Sequence, residues 1–161
     1  MLPFLTVLGC GSDVLSPGEY ARLTALVDGE YFQATFSAED AVGTMRDNGT
    51  TVDVIGVERR PDGSTMRVRL TLQGFRGPGT YALALTSTGF TYGEIALATS
   101  ASPDVFVQYQ TGLGLSGTVR VTTWDEKRRL IGGFFEFRAR QTTSTRTLDL
   151  TEGVFNGRLA R

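Results

Sequence analysis

The sequence predicts an all-β fold, an antiparallel β-sandwich of about ten strands. Apolar and polar residues alternate with a period of two along most of the chain, and glycine-centred turns separate the alternating runs. Helical periodicity is almost absent. A calycin-like β-barrel is the alternative, because sandwiches and barrels share this alternation and differ in closure.

The first predicted hairpin joins strands at residues 23–27 and 31–36. Its turn contains Asp28 and Gly29, a pair that tolerates the positive φ angles of a tight two-residue turn. Residues 38–45 are the one segment that could hold a helical turn, because Ser37 can act as its N-cap.

The second predicted hairpin joins residues 50–58 to residues 64–72 through a turn that contains Pro61 and Gly63. Its second strand has the clearest alternation in the chain: Met66, Val68, Leu70 and Leu72 alternate with Arg67, Arg69 and Thr71. We therefore expect one face of this strand to lie in the core and the other to face water.

Seven further strands are predicted in the remainder of the chain, at residues 80–85, 92–98, 105–110, 117–123, 129–138, 147–150 and 153–159. The longest hairpin joins residues 117–123 to residues 129–138. In its second strand Gly133, Phe135 and Phe137 share one face with Ile131, which indicates a core-facing surface.

The charge balance argues against a nucleic-acid partner. The 161 residues include 16 basic and 17 acidic side chains, for a net charge of -1. Because the charges are interspersed, the chain offers no extended positive field that would attract a polyanion.

Residue usage also disfavours catalysis. The chain has no histidine and one cysteine. Ser-His-Asp and Cys-His systems therefore lack their base, and the imidazole ligands of zinc, copper and iron sites are missing. We expect a non-catalytic protein without cofactor or metal. A hydrolase that uses carboxylates alone is a third possibility, although the adjacent Asp125 and Glu126 would point apart.

The beginning of the chain resembles the lipobox of bacterial lipoproteins. Cys10 follows Val7, Leu8 and Gly9 after an apolar start. The resemblance implies that Cys10 carries a lipid and anchors the protein outside the cytoplasm, at the outer membrane or cell surface of a Gram-negative bacterium. Residues 1–18 would then be signal remnant and tether, and residues 19–161 one all-β domain.

Nine residues precede Cys10, and none of them is Lys or Arg. Secretory signals normally begin with a basic segment. Two interpretations stay open: the true start lies upstream, or this segment is an ordinary strand with a buried cysteine.

Several short motifs, in this order, resemble a family of small secreted lipoproteins of Bacteroidota-like bacteria, the domain of unknown function DUF6252. They are Ala25-Leu26-Val27-Asp28-Gly29-Glu30-Tyr31-Phe32-Gln33-Ala34, Gly79-Thr80-Tyr81-Ala82-Leu83, Gly117-Thr118-Val119-Arg120-Val121-Thr122, Ile131-Gly132-Gly133-Phe134-Phe135-Glu136-Phe137 and Leu150-Thr151-Glu152-Gly153-Val154-Phe155. The resemblance implies an all-β fold and an envelope location. The family has no established activity, so it assigns no functional residues to this chain.

Aromatic side chains near strand ends are the candidate binding residues. They are Phe90, Tyr92, Phe106, Tyr109 and Trp124. Partly exposed aromatic rims bind sugar faces, peptides or apolar ligands. We therefore expect a binding or scaffolding role, with an envelope protein, a glycan or a small apolar ligand as partner. The alternative explanation is that these rings close the ends of the sandwich.

Overall fold

The prediction of an all-β fold is confirmed. The computed structural model describes residues 20–37, 40–86, 89–112 and 114–160. These residues form one sheet of eleven strands. The predicted tether and Cys10 lie outside the described residues. The helical element in the described part is a short 3-10 turn at Asp47–Gly49.

The strands, in chain order, are β1 (Arg22–Val27), β2 (Glu30–Gln33), β3 (Gly43–Arg46), β4 (Thr51–Arg59), β5 (Thr65–Gln73), β6 (Gly79–Thr86), β7 (Gly89–Thr99), β8 (Ser102–Gln110), β9 (Gly117–Asp125), β10 (Leu130–Gln141) and β11 (Thr147–Ala160). Both predicted early hairpins form. In the first turn, Asp28 and Gly29 have φ angles of 49° and 81°, as a two-residue turn requires.

The strand order is β2-β1-β11-β3-β4-β5-β7-β6-β9-β10-β8, and an additional pairing of β10 with β11 closes a ring of strands. All the pairings are antiparallel except that of β3 with β11. The ring has two sides that face each other. The chain after β2 also meets β4, where the Thr35 N–H donates to the Val57 carbonyl at 2.9 Å.

One hydrophobic cluster fills the space between the two sides. Its largest fully buried side chains include Phe32, Phe155, Leu23, Leu70 and Ile131. The two sides approach closely: a Cβ on Gly93 of β7 would lie 2.9 Å from ring atoms of Phe137 of β10. Only glycine fits this position, because the phenylalanine ring occupies the place of a side chain.

The β4–β5 hairpin has the predicted core face and a more complex outer face. Met66, Val68, Leu70 and Leu72 are all buried. The opposite face was expected to face water. Asp53 of β4 and Glu94 of the neighbouring strand β7 nevertheless lie on this face of the sheet with exposures of 2% and 5%. Arginines from β5 cover these carboxylates, which explains how charged groups are buried on an outer face.

Two local predictions are wrong. Residues 43–45, expected in a helical turn, belong to β3, because Gly43 pairs with Val54 of β4 and with Leu159 of β11. Strand pairing here overrides the local capping signal. Residues 147–150 and 153–159 were expected as separate strands. They form the single strand β11, in which a bulge absorbs the extra residues near Glu152, with a φ of 52°.

Candidate functional site

A cleft at one end of the sheet contains Trp124, the single tryptophan of the chain. Its volume is about 540 Å³, within the range of small-ligand sites. Three segments of the described chain line it: the end of β3 and the 3-10 turn with Met45, Asn48 and Gly49, the loop after β5 with Phe75, Arg76 and Gly77, and the β9–β10 hairpin with Trp124, Glu126 and Arg129.

The position of Trp124 follows from the β9–β10 hairpin. Trp124 pairs with Ile131, a fully buried core residue, and its own side chain is half-buried against the core. The indole meets Phe75 edge-on, with ring centroids 5.2 Å apart and an interplanar angle of 89°. Phe75 in turn stacks on Tyr81 at 5.8 Å. Edge-to-face and stacked aromatic contacts of this kind hold the indole in place.

The loop after β5 is fixed by hydrogen bonds as well as by rings. The Tyr81 hydroxyl donates to the Gly77 carbonyl at 2.6 Å and accepts from the Arg76 N–H at 3.1 Å. The Phe75 N–H donates to the Thr50 carbonyl at 2.8 Å. The backbone that carries Arg76 is therefore held in one geometry, as a binding site requires.

Left-handed backbone recurs around the cleft. Asn48, Gly77 and Arg129 have φ angles of 55°, 93° and 57°. A Cβ on Gly77 would lie 3.3 Å from Cδ1 of Trp124, so glycine lets this loop lie directly against the indole. An arginine with positive φ is uncommon, and such residues cluster at functional sites.

Several polar groups in the cleft have no intramolecular partner. Within the described part of the chain, the Arg76 guanidinium, the Glu126 carboxylate and the Trp124 N–H make no hydrogen bond or ion pair. Arg129 is oriented by one bond, from Nη2 to the Ala160 carbonyl at 2.8 Å. These groups are available to a ligand.

The structure brings Trp124, but not the other described candidate aromatics, into this cleft. Tyr109 was expected at a rim and is in the core with an exposure of 1%, because it pairs with Ile95 on the inward face of β7. Tyr92 pairs with Thr71 on the outer face of the sheet. Phe90 pairs with Leu85 through the backbone, and its side chain lies outside the described part.

Phe106 lies away from the cleft, on the outer face of the sheet. The Arg67 guanidinium carbon lies 5.2 Å from the centre of its ring, in a cation–π contact. The side chain is 36% exposed. Phe106 therefore covers an ion-paired arginine, and the structure does not place it beside Trp124.

Sequence reasoning missed the cleft residues Asn48, Phe75, Arg76 and Arg129. The available signal was the glycine- and proline-rich segment around Phe75 and Arg76, which marks a loop but does not indicate what the loop faces. Asp47, Asn48 and Gly49 are consecutive residues with positive φ, a property that local sequence indicates only through the turn preferences of Asn and Gly.

A second, more apolar cleft of about 500 Å³ lies on the outer face of β9, β10 and β11. Phe134 lies in it with 49% of its surface exposed, and Arg120, Glu136 and Glu152 also line the cleft. It is an alternative ligand site that lies on the sheet face rather than between loops.

The Trp124 cleft contains few side chains that could act as acids, bases or metal ligands. Asp125 accepts the Arg128 N–H at 3.0 Å and so stabilises the hairpin turn. Among the described residues, Glu126 is the one carboxylate residue that lines the cleft. Among the residues that the structure describes, no group of three or more His, Cys, Asp or Glu side chains could hold a metal ion.

The described part of the chain contains no helix of the length and apolarity needed to cross a membrane.

The family model for a domain of unknown function, DUF6252, matches residues 23–157. The match covers every strand except the ends of β1 and β11. No curated protein and no solved structure matches the chain.

Proposed function

The chain belongs to the DUF6252 family, and we propose that it is a non-catalytic ligand-binding domain held at the cell envelope by a lipid on Cys10. The Trp124 cleft is the binding site in this proposal. The lipid would place the domain outside the cytoplasm, on the outer membrane or cell surface of a Gram-negative bacterium.

The observation that carries the binding role is the set of unpaired polar groups around a fixed indole. Arg76, Glu126 and the Trp124 N–H have no partner among the described residues, while Phe75 contacts the indole and Tyr81 holds the backbone of Arg76. Ligand sites typically combine an aromatic wall with a few convergent polar groups on a rigid frame.

The packing disfavours an apolar ligand inside the ring of strands. The Phe137 ring lies against Gly93 from the opposite side, and the core cluster contains large side chains from both sides. A hydrolase that uses two carboxylates is disfavoured too, because Glu126 is the one acidic residue that the described part of the chain contributes to the cleft lining.

The anchor is tested by metabolic labelling with palmitate in cells that express the gene from its native start. The wild-type protein should incorporate label and fractionate with membranes, whereas Cys10→Ala should do neither. A Cys10→Ala variant that stays with the membrane would exclude lipid attachment at this cysteine.

The binding site is tested with a ligand panel of neutral and acidic oligosaccharides, peptides and fatty acids. Because Trp124 is the single tryptophan, a ligand in its cleft should change the intrinsic fluorescence emission. Calorimetry should show that Trp124→Ala abolishes binding and that Phe134→Ala, in the second cleft, does not. The reverse result would move the site to the second cleft, and ligand turnover would contradict the non-catalytic role.

A further inference from the structure

We propose that the ligand of the Trp124 cleft is an acidic saccharide. A sugar ring stacks on Trp124, and its anionic substituent pairs with Arg76 and Arg129. This inference rests on the proposed binding role of the cleft, and it names the chemical class of the ligand.

The first argument is the position of an unpaired arginine in the cleft. Six arginines of the described surface pair with carboxylates, namely Arg46, Arg60, Arg67, Arg69, Arg128 and Arg138. Arg76 is exposed beside Trp124 and makes no ion pair with any described residue, although Glu126 lines the same cleft. An arginine fork without a partner is suited to a planar, bidentate anion such as a carboxylate.

The second argument is the second cation. Arg129 also lines the cleft, and its bond to the Ala160 carbonyl uses Nη2 and orients the guanidinium. Its remaining N–H groups make no other hydrogen bond within the described part of the chain. Two arginines against one carboxylate leave the cleft with an excess positive charge that favours an anionic group.

The third argument separates a saccharide from other anions. Trp124 lines the cleft, and an indole can contact the apolar face of a sugar ring while its N–H donates to a hydroxyl. Glu126 and Asn48 add an acceptor and an amide that suit hydroxyl groups. The Glu126 carboxylate also repels a polyanion, so the lining selects isolated negative charge among many hydroxyls rather than a polyphosphate.

The experiment compares three oligosaccharides of equal length: a neutral galactan oligosaccharide, the same oligosaccharide with one terminal galacturonate residue in place of galactose, and the same neutral oligosaccharide with a single sulfate ester. Binding is measured by calorimetry and by Trp124 emission at low and high salt. We expect the acidic ligand to bind about tenfold more tightly than the neutral one, the equivalent of about 1.4 kcal/mol. High salt should remove most of this preference. The carboxylate and sulfate arms decide which anionic group is preferred.

Variants assign the preference to the cleft. Arg76→Gln should remove the preference for the acidic ligand while binding of the neutral one persists. Arg120→Gln is the matched control, because Arg120 is an exposed arginine that lines the second cleft. It should behave as the wild type does.

Three results would overturn the inference. Equal affinity of the wild type for the acidic and neutral oligosaccharides would remove the anionic requirement and leave the binding role intact. Binding of none of the three, with an acidic peptide or a fatty acid bound instead, would exclude a saccharide. Failure of every member of the panel would overturn the binding role together with this inference.

Discussion

Arg69 and Asp53 form an ion pair across β5 and β4, with Arg69 Nη2 3.0 Å from Asp53 Oδ1, and the Asp53 side chain is only 3% exposed. The Arg46 Nε donates to the other carboxylate oxygen at 2.7 Å, and the Thr71 hydroxyl donates to Oδ1 at 2.6 Å. One carboxylate thus connects β3, β4 and β5. It is buried on a face that the alternation of β5 indicates as wet.

Removal of Arg69 should destabilise the protein. Arg69→Met keeps an aliphatic stem and leaves the buried Asp53 with fewer donors, so we expect a loss of about 2 kcal/mol in the free energy of unfolding. The expected loss of stability is moderate because the Arg69 side chain is 31% exposed and Arg46 still pairs with Asp53. Urea titration measures the change. Arg59→Met is the control, because Arg59 is exposed and makes no ion pair with any residue that the structure describes. Equal losses in both variants would show that the pairing has no net effect.

The same carboxylate should make stability depend on pH. Burial acts to raise the pKa of Asp53, but hydrogen bonds from Arg46, Thr71 and Arg69 outweigh it and hold the pKa below its ordinary value. A lowered folded-state pKa stabilises the fold above the unfolded value of about 3.9, and the contribution is lost as pH falls through this value toward the folded-state pKa. Urea titrations in acid should therefore show a steeper loss for wild type than for Asp53→Asn.

Asp149→Asn is the control for this titration. The hydrogen bonds from Arg138 lower the pKa of Asp149, which acts in the same direction. The pair is solvent-screened, however, because the Asp149 side chain is 47% exposed. We expect its variant to follow the wild-type pH dependence closely. A flat wild-type profile over the acid range would contradict the role of Asp53.

A matched pair of valines tests the two environments of the sheet. Val68 on β5 is 0% exposed, and Val105 on β8 is 66% exposed. Val68→Asp should unfold the domain, because a carboxylate without a partner in the core costs several kcal/mol of a total of about 5 to 15. Val105→Asp should change the free energy of unfolding by less than about 0.5 kcal/mol. Circular dichroism and urea titration compare the two, and similar losses would contradict the strand faces.

A pair of glycines tests the wall of the Trp124 cleft. Gly77 and Gly74 have φ angles of 93° and 72°, so either change to alanine should cost about 1 kcal/mol of backbone strain. Only Gly77→Ala adds a Cβ 3.3 Å from the Trp124 indole, whereas a Cβ on Gly74 meets nothing within 4 Å. Gly77→Ala alone should therefore shift the tryptophan emission. An equal shift in Gly74→Ala would place the indole elsewhere.

Local pattern was sufficient for most strands and turns. The alternation of Met66 to Leu72 requires one apolar face, and Asp28 with Gly29 supports positive φ at both positions, so these elements follow from nearest-neighbour chemistry. The inward direction of Tyr109 does not follow from local pattern. The residue lies near a strand end in the sequence, but its register with Ile95 turns it inward, and register is decided by the partner strand.

The all-β class, the hairpins around Asp28 and Gly63 and the core face of β5 follow from local sequence, because they depend on period-two alternation and turn chemistry within a few residues. Long-range contacts were needed to make β3 a strand, to pair Arg69 with Asp53 and to bring Arg76 and Trp124 into one cleft. These relationships join segments that are distant in the chain, and only strand pairing and closure of the ring bring them together.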